Sequence, residues 1–210
     1  MIGFIGIIYF DRDFFTKATP VNLLLMFFLL LYTQRQLNIW MLFFTATCFI
    51  SGIAVEIIGT KTGLLFGDYT YGTVLGPSIE NVPLIIGVNW FLIIYCTGVT
   101  VQILLNRIID KTALDTAAPR QVLKALSVIV DGATLAVMFD WLIEPVAIKL
   151  GYWQWGGSGD IPFYNYVCWF VVCAILLSVF HYAKFSKQNK FAVNLLLIQA
   201  MFFLLLRTFL

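Results

Sequence analysis

The uncharged segment VPLIIGVNWFLIIYCTGVTVQILL, at residues 82–105, decides the fold class. A transmembrane α-helix needs about 20 consecutive, predominantly apolar residues, and this segment has that length without an Asp, Glu, Lys or Arg. Pro83 stands at its start, where the missing N–H of proline costs no hydrogen bond. The segment therefore predicts a helix that crosses a bilayer.

The rest of the chain has the same apolar character. Apolar residue types make up 61% of the 210 residues and charged types 11%, whereas soluble domains are about half apolar and about a quarter charged. We therefore expect an all-α, polytopic membrane helix bundle with about 6–7 transmembrane helices, built as one integral membrane domain over residues 1–210. The apolar runs that predict these helices are 2–10, which is short for a span, 21–32, 37–58, 82–105, 121–148, 162–182 and 191–210.

Basic residues in the connections predict the orientation, because short loops rich in Lys and Arg stay in the cytoplasm. The connections at one end of the bundle hold most of these residues, and the segments 59–81 and 149–161 share the opposite end. We expect a multi-pass protein of the bacterial cytoplasmic membrane, with these two segments on the non-cytoplasmic face. The basic residues assigned to the cytoplasmic side are Arg35, Arg107, Lys111, Arg120, Lys124, Lys184, Lys187 and Lys190.

A loose internal repeat relates two parts of the chain. Each copy has a glutamate in one helix, an aromatic and glycine group after it, a proline that opens the next helix, and a Trp-Phe pair seven residues beyond that proline. The copies lie two helices apart, which predicts a parallel repeat of helix pairs over roughly 37–105 and 121–182. The matched residues are Glu56, Tyr69, Tyr71, Gly72, Pro83, Trp90 and Phe91 in the first copy, and Glu144, Tyr152, Trp155, Gly156, Pro162, Trp169 and Phe170 in the second.

Four carboxylates stand inside the apolar runs, where an ionisable group costs about 2.5–3.5 kcal/mol on insertion scales. They are Glu56, Asp131, Asp140 and Glu144. Asp140 and Glu144 are one helical turn apart and share a face, so their charges repel if both are ionised. We expect one of the two to hold a proton at neutral pH, as general-acid chemistry on a hydrophobic substrate requires. The alternative is a purely structural role, in which these groups bond to neighbouring helices or water.

Aromatic and amide side chains near the same membrane face are candidates for a substrate-binding lining. Ring faces attract positive charge and can shelter a carbocation beside an acid, although Trp and Tyr also collect at membrane interfaces without such a role. Asp68, in a glycine-rich segment predicted to be a re-entrant or interfacial loop, is expected to turn toward the same cavity. Pro145 frees the carbonyl of Trp141 for a ligand or water. The candidate binding residues are Tyr69, Tyr71, Asn89, Trp90, Trp141, Tyr152, Trp153, Trp155, Asn165 and Trp169.

Other kinds of site find no support in the sequence. Cys48, Cys96, Cys168 and Cys173 lack the close pairing of a zinc site or a redox dithiol. Basic residues form no dense patch of the kind that binds nucleic acid. An HExxH helix, a GxSxG elbow and an Asp-rich metal pair are all missing. We therefore expect no metal, no cofactor and no nucleic-acid partner.

Several motifs resemble those of membrane carotenoid-biosynthesis proteins, which include bacterial and archaeal carotenoid hydratases. The resemblance covers most of the chain from about residue 19 and implies an enzyme that adds water across the terminal double bond of an acyclic carotenoid end, giving a tertiary alcohol. These proteins are also distantly similar to membrane lycopene cyclases, which begin by protonating the same end. The motifs are VEIIGTKTGLLFGDYTYG at 55–72, VP at 82–83, NW at 89–90, DWLIEPVA at 140–147, YWQW at 152–155, IP at 161–162, NY at 165–166 and WF at 169–170.

The resemblance implies a division of work among the candidate residues. One protonated carboxyl delivers a proton, a second carboxylate holds the attacking water, and Tyr69, Trp153 and Trp155 flank the cation. Three hypotheses follow: a cofactor-independent hydratase, an end-group cyclase in which a neighbouring alkene captures the cation, and a non-catalytic scaffold or carrier. The expected partners are a carotenoid within the bilayer, lipid and other carotenoid enzymes. The implied catalytic set is Glu56, Asp68, Asp140 and Glu144.

Overall fold

The protein is an all-α membrane helix bundle, as its apolar runs predict. A computed structural model describes residues 2–111, 119–157 and 159–210. Its helices are α1 (Ile2–Ile5), which continues into the π-helical segment Gly6–Phe10, then α2 (Arg12–Lys17), α3 (Thr19–Thr33), α4 (Ile39–Thr62), α5 (Ile85–Lys111), α6 (Pro119–Lys149), α7 (Phe163–Tyr182) and α8 (Lys190–Phe209). Its strands are β1 (Tyr69–Tyr71), β2 (Ser78–Ile79), β3 (Val82–Pro83) and β4 (Trp153–Trp155).

Five of the described helices, α4 to α8, are long and apolar enough to cross a membrane. The helix α3 is apolar but has only 15 residues, and the run 2–10 forms the short α1 and its π-helical continuation. The helix α5 lies at the centre of the bundle, where most of its apolar window is buried and where it contacts α3, α4, α6, α7 and α8. The segment that decides the fold class is therefore also the core helix.

The helix α4, which carries Glu56, has well-defined ends. Asn38 caps its start by accepting a hydrogen bond from the backbone N–H of Met41, as a short polar side chain does at a helix N-terminus. Gly63 ends it with a φ of 66°, a left-handed conformation that glycine adopts without a steric penalty. The helix thus continues four residues beyond the predicted end at residue 58, because nothing before Gly63 stops it.

Contacts between connections distinguish two ends of the bundle. At one end, Gln34 Nε2 donates to the carbonyl of Ser186 and Asn38 Nδ2 to that of Lys184, both at 2.8 Å. At the other end, the hydroxyls of Thr19 and Tyr152 are 2.6 Å apart, and β1 pairs with β4. Which end faces the cytoplasm stays a prediction. That prediction rests partly on Lys111 and Arg120, whose side chains lie outside the described part of the chain.

The antiparallel pairing of β1 with β4 was not predicted from the sequence. Tyr69 pairs with Trp155 and Tyr71 with Trp153, so the aromatic groups of the two predicted repeat copies meet directly. Strands of three residues leave no clear periodic signal, and their pairing joins residues that are more than 80 positions apart. The parallel repeat itself remains a prediction.

Close packing of α4 against α5 requires a residue without a Cβ atom at position 52, where the chain has Gly52. A Cβ at this position would lie 2.6 Å from the Trp90 ring, closer than carbon atoms can approach. We predict that Gly52→Val lowers the free energy of unfolding by about 1–3 kcal/mol, as overpacking does, whereas Ala46→Val on the exposed side of α4 leaves it nearly unchanged. Thermal unfolding of both variants in detergent checks this, and equal melting temperatures would contradict it.

Candidate active site

A small cavity lies at the end of the bundle that holds β1 and β4. Its volume of about 30 Å³ exceeds the roughly 10–15 Å³ that a water molecule needs. Three carboxylates and several aromatic rings from α4, α5, α6, α7 and the two strands converge on it. The lining residues are Glu56, Phe66, Tyr69, Tyr71, Ile86, Asn89, Trp90, Asp140, Glu144, Trp153, Trp155, Asn165 and Trp169.

Glu56 is held by three donors that come from outside its own helix. It is 4% exposed, and its Oε2 accepts hydrogen bonds from the hydroxyls of Tyr69 and Tyr71, the latter at 2.8 Å. Its Oε1 accepts one from Trp90 Nε1 at 2.9 Å. Burial, and then the nearby Glu56 charge, raise the pKa of both tyrosines above the ordinary value, so both remain protonated donors at neutral pH.

Glu144 has a matching set of donors in the other half of the site. Trp153 Nε1 and Trp155 Nε1 donate to its Oε2 at 2.9 and 3.0 Å, and Asn165 Nδ2 lies 3.4 Å from its Oε1. Hydrogen bonds of this kind stabilise the ionised form of a buried carboxylate. Glu144, which is 2% exposed, therefore has a set of hydrogen-bond donors comparable to that of Glu56.

Asp140 has the fewest donors of the three carboxylates. It is 3% exposed, one turn before Glu144 on α6, and within the described residues it accepts a single hydrogen bond, from Asn165 Nδ2 at 3.1 Å. Because this amide nitrogen reaches both Asp140 and Glu144, the two carboxyl groups lie side by side. A proton on Asp140 relieves the repulsion in this pair without costing Glu144 its donors.

Ring faces surround the carboxylates. The rings of Trp90 and Trp169 stack with centroids 4.1 Å apart and planes 8° apart. The register of β1 and β4 brings the ring of Tyr69 to 5.3 Å from that of Trp155, and the ring of Tyr71 to 6.1 Å from that of Trp153. The aromatic residues that donate hydrogen bonds to Glu56 and Glu144 thus also line the cavity with their rings.

Three residues predicted for the site lie outside the cavity lining. Asp68 packs against Gly156 and accepts its backbone N–H at 2.8 Å through the main-chain carbonyl. Tyr152 is buried against Thr19. Trp141 is 53% exposed on the outer face of α6. Asp131, on the same helix, is exposed as well.

The carbonyl that Pro145 frees is already bonded. Arg207 on α8 donates to the Trp141 carbonyl at 3.0 Å and lies over the Trp141 ring at 3.9 Å. A proline removes the N–H four residues after a carbonyl in a helix, and the guanidinium supplies the missing donor. This contact holds α8 against α6 rather than holding a ligand.

The cavity also has lining residues that the sequence did not single out. Phe66, with a φ of 66°, and Ile86 have apolar side chains that carry no chemical signal of their own. Phe66 lies within the quoted glycine-rich motif and packs near both Trp90 and Trp169. Among the described residues, no group of three or more His, Cys, Asp or Glu side chains is arranged to hold a metal ion.

Removal of the Glu56 carboxylate should destabilise the fold as well as the site. In Glu56→Leu, three buried donors lose their acceptor, at a cost of about 1–3 kcal/mol each, whereas Glu56→Gln keeps one acceptor oxygen. We predict a markedly lower melting temperature for the leucine variant than for the glutamine variant, measured by tryptophan fluorescence in detergent. Equal melting temperatures would show that the three contacts contribute little.

Comparison with known proteins identifies the family of the chain. Residues 18–210 match the family model described as carotenoid biosynthesis protein. A curated relative, bisanhydrobacterioruberin hydratase from Haloarcula japonica, is 25% identical over 131 residues, which cover 61% of this chain and 40% of that protein, so the chain matches about two fifths of that relative's length. No solved structure matches the chain. Because the family model covers nearly all of the described bundle, the chain belongs to the carotenoid biosynthesis protein family.

Proposed function

We propose that this protein is a carotenoid hydratase, which adds water across the terminal double bond of an acyclic carotenoid end group. The observation that carries the proposal is the convergence of three buried carboxylates and several aromatic rings on a cavity with room for a water molecule. The relative from Haloarcula japonica is named as a hydratase, and its name supports the same reaction. The substrate is a hydrophobic carotenoid that reaches the site from the bilayer.

The first step is proton transfer from Asp140. Three carboxylates cannot all be ionised cheaply in one buried site, and Asp140 has the fewest hydrogen-bond donors within the described chain. Its O–H bond breaks as the proton joins the penultimate carbon of the alkene. The double-bond electron pair forms the new C–H bond, and a tertiary cation remains at the terminal carbon that bears two methyl groups.

Aromatic rings stabilise the cation. A positive charge over the face of Trp or Tyr gains about 0.5–2 kcal/mol or more, with the larger values in desolvated sites. Trp153 and Trp155 are tied to Glu144 by their indole N–H groups, which fixes the rings at the cavity wall. Neither ring reacts with the cation as a basic side chain would, so the cation persists until water attacks.

Water completes the reaction and restores the site. The Asn89 amide lines the cavity and makes no hydrogen bond within the described residues, so it is available to hold the water next to Glu144. The water oxygen bonds to the cation, and Glu144 takes one of its protons. Transfer of that proton back to the adjacent Asp140 returns both groups to their starting states. The net change is alkene plus water to tertiary alcohol, with no redox partner.

Substrate binding requires movement at the cavity wall. A space of about 30 Å³ accommodates water but not an isoprenoid end, so a half-buried lining residue such as Trp153, Trp155 or Tyr71 has to shift when the carotenoid enters. We place the protein in the bacterial cytoplasmic membrane with this site on the non-cytoplasmic face. Other carotenoid enzymes are the partners that supply its substrate or use its product.

Labelled water tests the reaction directly. The chain is expressed in a host that accumulates lycopene or γ-carotene, ¹⁸O-water is added, and the pigments are analysed by chromatography and mass spectrometry. We expect a product heavier by one water that carries the label. A product of unchanged mass with a shifted absorption spectrum would instead indicate cyclisation, and no new pigment from folded protein would favour the scaffold or carrier role.

Substitution of the carboxylates tests their roles. Asp140→Asn and Glu144→Gln should each lower the hydration rate by about 100-fold or more, the range for loss of a general acid or base. Glu80→Gln is the matched control, because Glu80 is an exposed carboxylate that pairs with Lys61 at 2.7 Å. Full hydration by folded Asp140→Asn would rule out Asp140 as the proton donor.

The aromatic contribution is separable from the hydrogen bond at Trp155. Trp155→Phe keeps a ring face but loses the N–H that binds Glu144, whereas Trp155→Leu loses both. If the ring contributes about 2 kcal/mol to the cation, the rate for the leucine variant falls roughly 30-fold below that for the phenylalanine variant. Rates measured at saturating carotenoid check this, and equal rates would show that the ring does not stabilise the cation.

A further inference from the structure

A second and larger cavity lies at the end of the bundle opposite the carboxylates. It has a volume of about 330 Å³, within the usual range for small-molecule sites. The cavity opens between the start of α6, the end of α7 and the α7–α8 connection. Lys124 and Glu144 both belong to α6 and are separated by about 30 Å at 1.5 Å per residue, so this cavity is independent of the proposed hydratase site. Its polar lining residues are Gln102, Gln121, Lys124, His181, Lys187 and Gln188.

The two lysines at this cavity are Lys124 and Lys187. Neither has a carboxylate partner within the described residues, whose ion pair joins Lys61 to Glu80. Lys187 Nζ donates to the carbonyls of Ala183 and His181 at 2.7 and 3.2 Å, so its charge neutralises the negative end of α7. An ammonium group has three N–H donors, and one remains for a ligand. Burial, and then the Lys124 charge, lower the pKa of Lys187 to about 8. The two charges therefore repel across a shared space.

Uncharged polar groups lie beside the two lysines. Asn106 Oδ1 accepts hydrogen bonds from Lys124 Nζ at 2.7 Å and Gln102 Nε2 at 3.1 Å, which fixes Lys124 at the cavity wall. His181 Nδ1 is buried without a partner in the described structure. A ligand with several strong acceptor oxygens would accept hydrogen bonds from the ammonium groups of Lys124 and Lys187, and an apolar ligand would not.

We propose that this cavity binds a phosphate group, held by Lys124 and Lys187. Both lysines belong to the end of the bundle that the basic residues assign to the cytoplasm, where lipid phosphates lie at the level of the helix ends. Basic pockets between transmembrane helices at that face bind anionic head groups. The phosphate of an anionic lipid and free phosphate share this chemistry, and the experiment below separates them.

Native mass spectrometry of the delipidated full-length chain in detergent tests the site. The probes are dioleoylphosphatidylglycerol, dioleoylglycerol with the same acyl chains but no phosphate, and inorganic phosphate. We expect the phosphatidylglycerol adduct to exceed the dioleoylglycerol adduct. Inorganic phosphate that raises the melting temperature and displaces phosphatidylglycerol identifies the free anion as a ligand, and no effect of inorganic phosphate identifies the lipid. Equal retention of the two lipids overturns the proposal.

Lysine variants locate the adduct. Lys124→Gln and Lys187→Gln should each weaken phosphatidylglycerol binding roughly fivefold, the effect of one lysine near an anionic membrane surface. Lys184→Gln is the matched control, because Lys184 lies outside the cavity lining and over the Trp40 ring. Circular dichroism shows whether Lys187→Gln, which loses the α7 cap, still folds, and Lys124→Gln carries the test if it does not. Unchanged binding by folded Lys124→Gln, or equal weakening by Lys184→Gln, refutes the assignment.

Discussion

The burial of Glu56 and Glu144 is the constraint on which the rest of this structure depends. A carboxylate removed from water is costly unless hydrogen bonds compensate it, and in both cases the compensating donors come from elsewhere in the chain. The pairing of β1 with β4 and the packing of the α5 and α7 starts against α4 and α6 bring those donors into place. The helix bundle and the site are therefore stabilised by the same contacts.

Those contacts also underlie the chemistry that we propose. Tyrosine and tryptophan donate a hydrogen bond at one edge and present an apolar, electron-rich face. A side chain such as Trp155 thus donates a hydrogen bond to Glu144 and lines the cavity in which we propose that a cation forms. Asp140 lies in this setting without an equal set of donors. In the proposed mechanism, this difference in hydrogen bonding makes Asp140 the proton donor and Glu144 the proton acceptor.

The two ends of the bundle carry different sets of side chains. At one end, carboxylates and rings enclose a water-sized space, and at the other end lysines and amides line a wider opening. The long helices α6 and α7 contribute to both. Because each end has its own set of side chains about 30 Å from the other, the chemistry of one can be changed without touching the other.

The sequence by itself determined the class of protein and indicated most of the residues that line the cavity of the candidate site. Apolar runs long enough to span a bilayer predicted α4 to α8 to within a few residues, because hydrocarbon admits few other structures. Placing Glu56, Asp140 and Glu144 on such helices marked them as candidates, because a carboxylate there is costly. The aromatic and amide residues Asn89, Trp90, Trp153, Asn165 and Trp169 were candidates because they lie near the same membrane face, and they do line the cavity.

Only the tertiary structure decided which candidates meet. The pairing of β1 with β4 depends on contacts between distant parts of the chain, and it turned Tyr69 and Tyr71 toward Glu56 while Tyr152 went to Thr19. Trp141 and Trp153 are the same residue type, and both were predicted to line the site. Trp141 instead faces outward, and its carbonyl accepts a hydrogen bond from Arg207. Residue type and spacing set the cost of burying each group, and the packing of distant segments determines which partner offsets that cost.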